Sequence, residues 1–359
     1  MALRPDVVSP QGPAVLPESE VGHVCIVLLS GIGDVVHGLP LALDLKDRNP
    51  DTRITWVAEA APAQVLRHHP AVDRIVEFDS RGGIRGVLAL RKEMADVRAD
   101  LTLNIQRYLK SVWPTWLSAA PIRVGLAPSK TSDGIRFAHT HVMEEGPWKH
   151  SQDLFLDFRG ALGIDRGAPV RWDLTFSAPE QHERRAFFGT LGGRPVAALV
   201  VASANPKKDW APERYARLAD ALDRDFGFQV ILLGGPSERE RRAVAVIRSL
   251  TASAPVEALT RTVRQLMLRV AGSSLVVAPD TGPLHIAHAL NVPVVGMFAH
   301  TNPWRVGPWR RFHDLVVDRY TEPGDEADPA AYLPKDGRMD TITVSDVLAK
   351  VEVARSTYL

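Results

Sequence analysis

Short apolar runs rich in Val and Ile alternate along the chain with longer stretches that mix apolar and charged positions at helical spacing. Such alternation is the signature of βαβ units wound around a parallel sheet, because strands buried on both faces read as continuous apolar runs while the crossing helices bury one stripe. In the first half the pattern predicts strands over Val24–Leu29, Ile54–Ala58, Arg74–Phe78, Leu101–Ile105 and Arg123–Leu126. The series restarts with Pro195–Val201, Phe228–Leu233, Ser274–Ala278 and Pro293–Phe298. Two series imply two Rossmann-like α/β sheets, joined near 171–193, where Pro179 and the run Leu-Gly-Gly-Arg-Pro interrupt periodicity. After Phe298 the stretch ending in PGDEADPAAYLPKDG reads as a surface loop, and Val344–Arg355, opened by the N-cap Thr343, reads as a final helix.

Composition narrows this picture without redirecting it. A chain of 359 residues, 45% hydrophobic and 24% charged, can bury two cores of ordinary size. Lys and Arg number 43 against 42 Asp and Glu, so net charge predicts no nucleic acid or other polyanion as partner. The first 22 residues, with four prolines and three acids within the first 20 and no long apolar core, read as a loose leader rather than a signal peptide or membrane span. The single cysteine, Cys25, lies in the apolar run VCIVLL and reads as a core residue of a reducing, cytoplasmic setting.

Chemistry concentrates where strands end. The first strand runs into LSGIGDVVHGLP, so Gly31 and Gly33 stand at a sharp strand-to-helix turn with Asp34 on the first turn of the helix. A dinucleotide fingerprint would need glycine at position 36, which is Val36, and this argues against an NAD-dependent oxidoreductase. Asp34 either caps the helix and complements its dipole or offers a carboxylate at the ligand-binding edge.

In the second half, APDTGPLHIAH places Asp280, Thr281 and Gly282 between a buried strand and a helix that opens with Pro283. Backbone N–H groups at Thr281, Gly282 and Leu284 would form an anion site for a phosphate or diphosphate. His285 and His288 are spaced i, i+3 but lack a third ligand, so no metal is predicted, and His285 reads as a phosphate donor or a core residue. Upstream, Ser203, Asn205, Lys207 and Lys208 follow one strand, and Gly234, Gly235, Glu238 and Glu240 follow the next. A carboxylate in the second of these loops could hold ribose hydroxyls or simply stabilise the start of a helix.

Taken in order, IGDVVHGLP at 32–40, KKDWAPERYARL at 207–218, LLGGPSERER at 232–241 and DTGPLHIAHALNVPVVGMFAHTNPWRVGP at 280–308 resemble the family 9 glycosyltransferases, which include the heptosyltransferases of lipopolysaccharide core synthesis. The resemblance spans about residues 23–310. It implies a GT-B fold: an acceptor domain over 23–178 and a nucleotide-sugar domain over 179–338, facing each other across a cleft. A helix over 339–359 would cross back to the first domain. It also implies Asp34 as catalytic base and Lys208 as the phosphate-binding lysine. Gly33, Ser203, Glu238, Asp280, Thr281, Gly282 and His285 would contact the donor. Arg107, standing where the family pattern has glycine, and a His150 not followed by arginine mark the acceptor half as divergent.

The activity implied is inverting, metal-independent transfer of a sugar, heptose from ADP-heptose by resemblance, to a glycolipid of the lipopolysaccharide-core type, without a cofactor. A non-catalytic nucleotide-sugar-binding protein of the same fold is the alternative, and Asp34 separates the two, since a binding protein needs no base. The only Asp-x-Asp string, Asp223-Arg224-Asp225, closes an amphipathic helix and reads as solvent-facing. Within 104–141, Arg107, Lys110, Arg123, Lys130 and Arg136 meet one acid, Asp133, beside Trp113, Trp116 and Leu117. That segment suits an anionic amphiphile, with Arg107, Lys110, Lys130 and Arg136 as acceptor contacts and peripheral contact with the cytoplasmic face of the inner membrane.

Overall fold

The computed structural model describes residues 5–9, 11, 21–132 and 134–359, so most of the leader segment and Asp133 lie outside the described residues. The chain divides into two compact units, Met1–Thr175 and Phe176–Leu359.

The first unit is built on seven parallel strands, β1 (Asp6–Val8), β2 (His23–Val27), β3 (Arg53–Ala58), β4 (Arg74–Glu77), β5 (Leu101–Asn104), β6 (Ile122–Gly125) and β7 (His141–Met143). Their order is β1-β7-β6-β5-β2-β3-β4. β1 falls inside the stretch read as a leader: Asp6 pairs with His141 and Val8 with Met143, extending the sheet by one edge strand. One face of the sheet buries Cys25, Val27 and Val57 with Leu90, Met94 and Val97.

Helix Ile32–Arg48 is held down by contacts a side chain would forbid. A Cβ at Gly38 would come within 2.9 Å of Leu28 Cδ2 and 3.0 Å of Trp56 Cη2. Lower on the same helix Asp44 meets Arg159 through two bonds, 2.7 Å from Nε and 2.9 Å from Nη2, with both side chains buried. Burial pushes the Asp44 carboxyl up even though the guanidinium opposes it.

In the second unit the strands are β8 (Val196–Val200), β9 (Gln229–Gly234), β10 (Val256–Leu259), β11 (Leu275–Pro279), β12 (Val294–Phe298) and β13 (Val317–Asp318), again parallel, in the order β10-β9-β8-β11-β12-β13. The stretch read as a break in periodicity holds helix Ala178–Gly189, which opens with a Ser177/Glu180 capping box and buries none of its residues. An apolar stripe was therefore absent from the sequence. The final helix, Val344–Thr357, packs on β12, on β13 and on helix Pro212–Arg224, all within the second unit.

Both sheets reverse direction of winding once: the first between β2 and β5, the second between β8 and β11. At such switch points the loops leaving the two central strands diverge, which opens the crevice where α/β proteins bind ligands.

Candidate active site

At the switch point of the second unit, the loops after β8 and β11 bring together Lys208 and Asp280. Lys208 Nζ lies 2.6 Å from Asp280 Oδ2, and Thr301 Oγ1 donates to the same oxygen at 2.8 Å. His285 Nε2 stands 3.6 Å from Asp280 Oδ1. Burial pushes the Asp280 carboxyl up, but His285 and the Lys208 ammonium outweigh burial and hold it well below the usual carboxylate range. The cluster therefore keeps a negative charge on Asp280, paired with the Lys208 ammonium.

Thr281 is the N-cap of helix Gly282–Ala289. The Leu284 N–H, read from sequence as part of an anion site, instead donates to Thr281 O at 3.0 Å. Pro283 has no N–H, so the first turn leaves Thr281 and Gly282 as its backbone donors. His288 is structural: its Nε2 meets Trp309 O at 2.9 Å, and burial pulls its pKa down to about 4.

The loop from Ser203 to Asp209 is internally braced. The Ser203 N–H donates to Asp209 Oδ1 at 2.7 Å, and the Ser203 hydroxyl faces Asn205 O at 2.6 Å and Asp209 Oδ1 at 3.0 Å. Arg239, which sequence reading passed over, ties this loop to the next by its ion pair with Asp209 at 3.2 Å and a bond to Ser203 O. Glu238 begins helix Glu238–Leu250 and pairs on that helix with Arg242 at 2.9 Å and Arg241 at 3.2 Å. Its neighbour Glu240 turns back to accept from Gly235 N–H at 2.5 Å.

In the first unit Asp34 occupies the third position of helix Ile32–Arg48. Its carboxylate folds back over Gly31, whose φ of +84° and lack of a side chain make room for it. Gly33 precedes it in the same turn. Gln106, buried in the loop just past β5, fixes the Asp34 loop by accepting from Leu29 N–H at 2.8 Å and Ser30 N–H at 3.1 Å. Lys110 reaches the same loop, 2.6 Å from Ser30 Oγ and 2.6 Å from Glu59 Oε1.

Of the other acceptor candidates, Lys130 is turned inward: it is buried, donates to Gly146 O at 2.7 Å and lies 4.1 Å above the Trp148 ring. Arg107 donates to Lys130 O at 2.9 Å and covers the same ring at 4.8 Å. Arg136 is exposed. Asp223 and Asp225 spend their charge on surface pairs with Arg194 and Arg224, each at 2.7 Å. Among the described residues no three His, Cys, Asp or Glu side chains form a metal-ligand group, and no helix is long and apolar enough to cross a membrane.

Two parallel sheets of Rossmann order, each with its candidate residues at the switch point, are the architecture of the GT-B fold. Residues 87–326 match the model of glycosyltransferase family 9 (heptosyltransferase), and the chain belongs to that family. It is 27% identical over 338 residues to the lipopolysaccharide core heptosyltransferase OpsX of Haemophilus influenzae, covering 92% of this chain and 96% of that one. It is 26% identical over 312 residues to lipopolysaccharide heptosyltransferase 1 of Pseudomonas aeruginosa, covering 80% of this chain and 82% of the relative. Among solved structures, a family 9 glycosyl transferase from Veillonella parvula superposes with a TM-score of 0.79 at 20% identity, covering 94% of this chain and 98% of that chain. The ADP-heptose lps heptosyltransferase II of E. coli superposes with a TM-score of 0.72 at 22% identity, covering 92% and 98%.

Proposed function

We propose that this glycosyltransferase moves heptose from ADP-heptose to a lipopolysaccharide-core-type acceptor by inverting displacement, without a metal ion. The observation that carries the reading is Lys208, held by Asp280 beside the backbone donors of Thr281 and Gly282, a set of hydrogen-bond donors suited to a diphosphate that shares or takes over the ammonium. The relatives' names supply the sugar and the acceptor class.

In this scheme the acceptor hydroxyl attacks the anomeric carbon and gives its proton to Asp34 as the new bond forms. The bond to ADP breaks on the opposite face, and the charge left on the diphosphate is met by Lys208 and the N–H groups of Thr281 and Gly282. Asp280 and His285 would hold the sugar end of the donor, and Glu238 the ribose. Ser203, whose hydroxyl is engaged within its own loop, would act by shaping the approach to the phosphates. Arg107, Lys110 and Arg136 would meet the anionic groups of an acceptor presented at the cytoplasmic membrane face.

The direct test is incubation with ADP-heptose and a deacylated lipopolysaccharide-core acceptor, with the anomeric configuration of the product read by NMR. Transfer with inversion, unchanged by EDTA, is the expected result. Retention of configuration, or activity lost to EDTA and restored by magnesium, would overturn the scheme. Tight ADP-heptose binding with no transfer to any acceptor would favour the non-catalytic alternative. Binding itself is read by thermal shift, since a ligand at 100 times its Kd stabilises by about 2.7 kcal/mol.

A further inference from the structure

The outward face of a crossover helix in the first unit is apolar where a polar face is usual. Helix Val112–Leu117 buries Val112, Pro114 and Thr115, and Val112 packs with Ile135 and Ala138 of the 3-10 turn that lies against it. The opposite side carries Trp113 and Trp116, 44% and 45% exposed, in edge contact with ring centroids 5.9 Å apart. Phe137, 50% exposed, continues the row, its ring 5.6 Å from Trp116. Tyr108 and Leu109, just before the helix, are also exposed.

Exposed aromatic rings in a contiguous row are costly in water and mark an interaction surface. Tryptophan is favoured at the water interface of a bilayer because its ring is apolar while its N–H remains hydrogen-bonded. Charge selects the partner further. Of the five basic residues of segment 104–141, Lys130 is buried, Arg107 and Arg123 donate to backbone carbonyls and Lys110 pairs with Glu59, which leaves Arg136 exposed immediately beside Phe137. An exposed guanidinium beside an apolar row complements an anionic lipid surface. The row is also continuous with the catalytic loop, since Lys110, two residues before the helix, reaches Ser30 Oγ.

We infer that Trp113, Trp116 and Phe137 form a membrane-docking face that seats the first unit on an anionic phospholipid bilayer, with the loop carrying Asp34 beside the lipid surface. This deepens the proposed function and rests on its reading of the acceptor as lipid-anchored. The occupant is the bilayer itself rather than a protein partner or a second copy of the chain.

The test is flotation of the full chain with vesicles of phosphatidylcholine alone or with equimolar phosphatidylglycerol, containing no acceptor, followed also by tryptophan emission. Wild type should float with the anionic vesicles only, release at high salt, and show a blue shift. W113S/W116S should lose about tenfold or more in vesicle partition, with an unchanged melting temperature and an unchanged rate on the deacylated acceptor. F137S, a smaller change, should lose several-fold and decides the matter if the double variant misfolds. A wild type that ignores vesicles, or variants that float as it does, would overturn the docking face. Transfer to the deacylated acceptor by a wild type that ignores vesicles would sink this inference and leave the proposed function standing. Flotation as described without any heptose transfer would do the reverse.

Discussion

Lys208 and Asp280 stand 2.6 Å apart although 72 positions separate them in the chain, each delivered by the loop after one of the two central strands of the second sheet. The lysine is thus occupied by a protein carboxylate in the unliganded chain. A diphosphate must share or take over that ammonium. Lys208→Ala is expected to weaken ADP binding about tenfold to a hundredfold, the range for a hydrogen bond to a charged group. Asp280→Asn removes the competing anion, and ADP should bind it at least as tightly as wild type. Isothermal titration of both variants checks the pair; equal weakening by the two would show that the ion pair does not compete with the ligand.

Asp34→Asn should retain ADP-heptose binding and lose turnover by ~10²–10⁴-fold, the usual contribution of a positioned general base. The amide fits the space over Gly31 that the carboxylate occupies, so the loop survives the change. Turnover within about threefold of wild type would be far below that contribution and would remove Asp34 from the mechanism.

Acid should weaken the second unit in a defined window. The Arg264 guanidinium, 2.7 Å from Glu180, holds that carboxyl down at about 2 against an ordinary 4.5. A depressed carboxyl adds stability that is complete above its unfolded value and is lost as pH falls through the folded one. Glu180→Gln should therefore cost about 1–2 kcal/mol at neutral pH, and the gap to wild type should close between about pH 4.5 and pH 2. Urea titrations across that range would show it; a gap independent of pH would mean that the capping geometry, not the charge, holds the helix.

Arg136→Glu should raise the acceptor KM and leave ADP-heptose binding unchanged, and the wild-type acceptor KM should rise with salt, since exposed charges are screened beyond ~8 Å at physiological ionic strength. Lys110→Gln is the better partner than a charge reversal, because Lys110 already neutralises Glu59 at 2.6 Å and a carboxylate there would repel it. An acceptor KM indifferent to both substitutions and to salt would point to a neutral saccharide.

The nine strands read from apolar runs lie within two residues of their observed ends, because most of them, β2, β5, β8, β11 and β12 above all, are buried nearly throughout. The four that escaped, β1, β7, β10 and β13, are two to four residues long, and three of them are sheet edges. Too few residues carry their pattern, and edge burial is incomplete. Candidate site positions were legible where place in the chain alone marks them: Lys208, Asp280 and Thr281 all follow strands at the ligand edge. Gln106 and Thr301 were not, since their partners lie 77 and 21 positions away and nothing local distinguishes either side chain. Lys130 shows the opposite failure. Its charge suggested a surface contact, but the Trp148 ring and a carbonyl draw it inside.

The chain's one thiol offers a probe that needs no engineering. Cys25 sits in β2, next to the switch point, fully buried, and burial pushes it up to about 12. It cannot react while the first sheet is closed, because the thiolate is the reactive form. Alkylation of the native protein then reports how often the centre of that sheet opens, in the same way that amide exchange reports local unfolding. A ligand that slows the labelling must stabilise the first unit, whereas a ligand held by the second unit alone stabilises without protecting Cys25. One reagent thereby tells which half of the enzyme each substrate grips.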